Sequence, residues 1–149
     1  MLRRRRAPSE VTPPTIRDLT IDESQWRGQQ LELARSLVER YAGSSELPPT
    51  PASLDVAVDG WLDDRSDDRV AIDDLVSAIG VALGHHLVAR LRRSWAVAVD
   101  EASTELVVRG GAHDVPVYPC RLVAERIVAG ERRFVEPALA ELSAQLGEP

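Results

Sequence analysis

The chain predicts an α+β fold in which N-terminal helices precede a three-stranded antiparallel meander and C-terminal helices follow it. Three observations carry this. Up to Leu91 the apolar residues recur at three- and four-residue spacing, the period of one helix face. From Trp95 to Tyr118 the period falls to two and turn residues interrupt it, as in half-buried strands. After Pro119 the helical period returns. Blocks segregated in this way indicate α+β rather than a βαβ sheet.

The elements follow in order. Residues 1–20 contain Pro8, Pro13, Pro14 and many charges and present no periodic face, so a disordered arm is expected there and a single α+β domain over 21–149. A first helix starts near Asp22, with Gln25 at capping-box spacing. It carries Trp26, Leu33, Leu37 and Tyr41 on one face and stops at Gly43. Pro48, Pro49 and Pro51 mark a connector. Ser53 is then expected to cap a second helix with Leu54, Val58, Trp61 and Leu62 on one side, ending in the acidic run Asp63 to Asp68. A third helix, capped by Asp67 or Asp68 and running from about Val70 to Arg92, buries Ile72, Leu75, Val76, Ile79, Leu83, Leu87 and Leu91. Within it Gly80 and Gly84 lie four apart, and each costs roughly 1 kcal/mol relative to Ala in a helix interior. Close approach of another helix or of the sheet is the expected compensation.

Trp95, Val97 and Val99 alternate with small or polar residues, and a polar turn at Glu101 to Ser103 leads to Thr104–Arg109, where Leu106 and Val108 point inward. This is a hairpin. Gly110 and Gly111 break it, and Val115 to Tyr118 is expected as the third strand, with Pro116 on an edge. Pro119 opens a fourth helix that carries Leu122, Val123 and Ile127 to Gly130, and a fifth spans about Phe134 to Leu146. Helices are expected to cover one face of the sheet.

The motifs LG at Leu83 and Gly84, Trp95 opening a strand with Asp100 after it, VYP at Val117 to Pro119, and ERIVAGE at Glu125 to Glu131 resemble a bacterial family of small uncharacterised domains. The resemblance covers roughly the central third of the chain. It implies a shared α+β fold and no established activity, so it supplies no functional residues.

Composition narrows the function classes. All 18 basic residues are arginine, against 24 acidic ones, for a net charge of −6. Arg3 to Arg6 contribute four of the positive charges, so the body of the chain is strongly acidic and nucleic acid is a poor partner for it. Cys120 is the single cysteine, so no internal disulfide is possible and a reduced, cytoplasmic setting fits. No apolar run follows the arginines as a leader requires, and no window approaches roughly 20 uninterrupted apolar residues, so no membrane span is expected.

Asp63, Asp64, Asp67 and Asp68 spell DDxxDD, a pattern able to hold divalent cations. The chain has no Asn and no second acidic motif, and a solvated inter-helix loop is the expected role. His85, His86, His113 and Cys120 are the candidate metal ligands. Adjacent histidines on a helix point about 100° apart, and neither HExxH nor CxxC is present. Cys120 at a helix start, with His113 as base and Asp114 as orienter, is the candidate nucleophile, with core packing the expected role of the thiol. Gly-rich phosphate loops and GxSxG are absent from the sequence. The expected function is therefore a non-enzymatic protein-binding domain without cofactor. Its candidate contact surface comprises the Val115–Tyr118 edge with Arg92, Arg93, Arg109 and Arg121, since arginine suits interfaces. A metal or hydrolytic site is the alternative. Self-association through the first helix is a third possibility, making a homodimer.

Overall fold

A computed structural model describes residues 13–110 and 114–147. Arg3 to Arg6, Gly111 and His113 lie outside the described residues. The elements are β1 (Thr15–Arg17), α1 (Ile21–Ala42), α2 (Pro51–Asp63), α3 (Ile72–Leu91), β2 (Ser94–Val99), β3 (Thr104–Arg109), α4 (Pro119–Val128) and α5 (Val135–Leu146). The fold is α+β: helices, a three-stranded antiparallel sheet, and helices again.

The sheet order is β1-β2-β3, and its third strand is not the expected one. Thr15–Arg17, read from sequence as part of the arm, pairs with Val97–Val99. Its β-branched Thr15 and Ile16 suit a pleated surface, and Ile16 packs on the small side chains Ala96 and Ala98. The Val115–Tyr118 segment contributes only an isolated bridge, in which Val117 and Val108 exchange both backbone hydrogen bonds at 2.8 and 2.9 Å. Pro116 has no N–H to donate and Pro119 already begins α4, so Val117 alone is left to pair. The β2–β3 hairpin matches expectation, with Asp100 accepting from the amides of Ala102 and Ser103 at 2.8 Å to close the turn.

Caps account for the helix limits. Thr20 caps α1, accepting from the Glu23 amide at 3.1 Å while Glu23 accepts from the Thr20 amide at 2.9 Å. This reciprocal box displaces the Asp22 cap expected from sequence. Gly43 closes α1 in the left-handed region at φ 71°. Thr50 rather than Ser53 caps α2, with Pro51 in the first turn. Neither Asp67 nor Asp68 caps α3, which starts at Ile72 after Ala71 without a side-chain cap. Helix α5 is capped from a distance. Asp55 of α2, buried at 7% exposure, accepts from the amides of Val135 at 2.8 Å and Glu136 at 3.0 Å. Burial pushes its carboxyl up while these two donors oppose the shift.

Helix α3 lies at the centre, touching α1, α2, α4, α5 and β3. Leu75, Ala78, Ile79, Leu83 and Leu87 are fully buried, whereas Ile72, expected inside, is exposed. By length and mean hydropathy α3 is the one described helix long and apolar enough to cross a bilayer, and half of that window is buried inside the fold. The expected close approach at its glycines is real. A Cβ at Gly80 would stand 2.6 Å from the Cα of Cys120, and one at Gly84 would overlap the Trp95 ring and reach Pro119 at 3.1 Å. Trp95, Val97, Leu106 and Val108 share one face of the sheet by alternation. Ala96, Ala98 and Val107 on the other face are also buried, forming a second cluster with Ile16 and Tyr118.

Gly80→Ala is expected to lose about 1–2 kcal/mol in urea unfolding, because the clash is with backbone and overpacking outweighs the gain in propensity. Gly28→Ala, in an α1 position where an added Cβ meets nothing within 4 Å, is expected to gain up to about 1 kcal/mol.

Candidate functional site

Beyond Trp95 and Val108, which pack toward the body of the protein, the inner face of the sheet parts from the helices. The opening is a cleft of about 560 Å³. Val97, Leu106 and Thr104 form its floor, Ser77 of α3 and Cys120 of α4 its back, and Asp22, Glu23 and Trp26 of α1 its wall, with Glu105 beside them. The lining is apolar at the floor and carries three carboxylates and no basic side chain.

Each titratable group here has a physical setting. Arg17 and Glu23 meet at 2.7 Å, and this contact together with the Thr20 amide holds the Glu23 carboxyl down at about 2. Glu105 pairs with Arg121, whose guanidinium lies 4.1 Å over the Tyr118 ring. Burial, with the Glu105 charge adding to it, pushes the Cys120 thiol up to about 12. The thiol faces the Ser77 carbonyl at 3.9 Å. A helix N-terminus lowers a thiol's pKa only where solvent and cations favour the thiolate, and here desolvation wins.

The residues singled out from sequence do not gather. Cys120 sits against Gly80, whereas the His86 Nε2 is 2.7 Å from the Pro49 carbonyl. An imidazole nitrogen facing a carbonyl must donate, so Nε2 cannot be a metal ligand there and only Nδ1 keeps a lone pair. His85 stands edge-on to His86, and burial lowers its pKa. Among the described residues no three His, Cys, Asp or Glu converge as metal ligands, and His113 lies outside them. Asp114, the proposed orienter, pairs with Arg109 instead.

Three of the four arginines of the expected contact surface are engaged within the fold. Arg93 donates to the Gly110 carbonyl and, at 3.1 Å, to that of Leu146, tying the hairpin to the end of α5. Arg109 holds Asp114, and Arg121 holds Glu105. Only Arg92, the left-handed cap of α3, has an exposed side chain with no such tie among the described residues. The acidic run is likewise absorbed. Asp64 accepts from Arg40 and the Tyr41 hydroxyl, Asp68 from Arg40, and Asp63 from Arg132. These arginines occupy the place a cation would take.

The geometry defines a small α+β domain with an acid-lined, apolar-floored cleft. Residues 58–138 match the family described as Domain of unknown function (DUF3806), and the chain belongs to that family. No curated protein matches it. A crystal structure from Bacteroides thetaiotaomicron VPI-5482 is similar in fold, with a TM-score of 0.68 at 15% identity over 93% of this chain. The chain spans 50% of the length of that protein.

The depressed Glu23 carboxyl sets a pH dependence. Its folded-state value lies below the ordinary 4.5, so its contribution to stability is present above that value and is lost as pH falls toward about 2. Glu23→Gln is expected to lower Tm at pH 7, and in thermal melts the gap to the unaltered protein should narrow below pH 4.5 and close as pH falls through about 2. For Cys120, a thiol reagent at pH 8 is expected to label urea-unfolded protein within minutes and folded protein far more slowly.

Proposed function

We propose that this domain is a non-enzymatic binding module and that its ligand, a segment of another protein, occupies the cleft over β2 and β3. The carrying observation is the cleft itself, which at about 560 Å³ falls within the range of ligand sites, roughly 300–1,000 Å³. Its apolar floor supplies burial, at about 25 cal/mol per Å², and its carboxylates supply orientation. General acid–base chemistry at neutral pH needs a group poised near that pH. The cleft's thiol and its Glu23 carboxyl are displaced in opposite directions, to about 12 and about 2, which favours binding over catalysis. A body acidic outside Arg3 to Arg6 favours a cationic segment over nucleic acid.

Nitrogen-15 NMR with indole as an apolar probe tests the cleft. Shifts are expected at Val97, Thr104, Leu106 and the Trp26 side chain, and Leu106→Glu should abolish them while leaving the remaining spectrum folded. Shifts confined to another part of the surface would overturn the assignment.

A further inference from the structure

We propose that the cleft receives an arginine side chain from a partner protein, its guanidinium stacked on Trp26 and paired with Asp22; this rests on the cleft being the binding site. The chain carries three tryptophans and two tyrosines. Four of these five rings have an arginine of the same chain over them: Arg69 on Trp61 at 4.0 Å, Arg121 on Tyr118 at 4.1 Å, Arg40 on Tyr41 at 5.2 Å and Arg27 on Trp95 at 5.7 Å. Two of those arginines also hold a neighbouring carboxylate, Arg121 on Glu105 and Arg40 on Asp64. Trp26 is the exception. No described arginine lies over its ring, and it is 40% exposed in the wall of the cleft.

The complementary carboxylate is in place. Asp22 lies four residues before Trp26, one turn away on the same face of α1, and it forms no ion pair among the described residues. Glu23 and Glu105 of the same lining are already paired with Arg17 and Arg121, which leaves Asp22 as the lining carboxylate open to an incoming cation, and no basic residue is among those that line the cleft. Guanidinium is favoured over ammonium because it stacks flat on an indole and donates in its plane to a carboxylate at once. Its aliphatic stem, with an apolar neighbour in the partner's sequence, covers the half-buried Leu106, beside which Val97 is already buried.

The test uses the full chain and blocked tripeptides with arginine, lysine or the uncharged isostere citrulline between two leucines, titrated by NMR. Binding of the arginine peptide is expected at least fivefold tighter than that of the citrulline peptide, with shifts centred on Asp22 and Trp26. Asp22→Asn should remove the difference, and Trp26→Leu should weaken the arginine peptide about fivefold. Both positions are exposed, so the fold should persist. Equal affinity for arginine and citrulline would overturn the arginine assignment while leaving an apolar cleft intact. If neither peptide nor indole reaches the cleft, the binding reading falls with it. With Arg3 to Arg6 replaced by serine and no peptide present, an unchanged Trp26 signal supports an external partner. A shift there would make this chain's own N-terminal segment the occupant and overturn the proposal, as would a concentration-dependent dimer that Trp26→Leu dissolves.

Discussion

The structure depends on how closely α3 is approached at Gly80 and Gly84. The backbone of Cys120 lies where a Cβ of residue 80 would be, and the Trp95 ring and Pro119 where one of residue 84 would be. One helix face thereby fixes both the start of α4 and the first residues of β2. Each glycine costs the helix roughly 1 kcal/mol. The contacts offset it, because buried groups at van der Waals distance gain dispersion that a gap of half an ångström or more would forfeit in part. Trp95 and Val108 pack into the main core, and the cleft lies farther along the same sheet face, beside Leu106 and Thr104.

Features written locally in the chain were legible from sequence. The glycine pair announced a close contact, the period-2 alternation announced β2 and β3, and Pro119 and Gly130 bounded α4. Features that depend on distant partners were not. Strand β1 is three residues long, too short for a periodic signal, and it exists because β2 offers an unpaired edge lined by alanines. The cap of α5 is supplied by Asp55, some eighty residues earlier, and no spacing rule reaches that far. At the start of α1 the capping box forms at Thr20 with Glu23, two residues before the expected Asp22 with Gln25. The ion pair from Arg17 to Glu23 favours the first.

The candidate site was legible only in fragments, for a related reason. It is assembled from α1, α3, β2, β3 and α4, and of its residues only Cys120 carried a chemical signal in the sequence. The structure sets that thiol against Gly80 and the Ser77 carbonyl, where burial pushes its pKa up. Three of the four arginines singled out from the sequence are engaged within the fold. In a chain whose basic residues are all arginine, guanidinium groups perform the structural tasks that clusters of charge otherwise suggest are interfaces. Arg93 clamps backbone carbonyls, Arg40 gathers the acidic loop, and Arg121 roofs Tyr118. The informative pattern is the converse one, an aromatic ring and a carboxylate arranged for a guanidinium that no described residue provides.

Contact at Gly84 sets the position of Trp95 and so shapes the sheet. A double-mutant cycle between Gly84→Ala and Trp95→Phe, read by urea unfolding, tests it directly. The smaller ring withdraws the atoms that an alanine at 84 would strike, so the cost of Gly84→Ala should fall by at least about 1 kcal/mol in the Trp95→Phe background, a coupling expected only of residues in contact. Additive effects of the two substitutions would contradict the account.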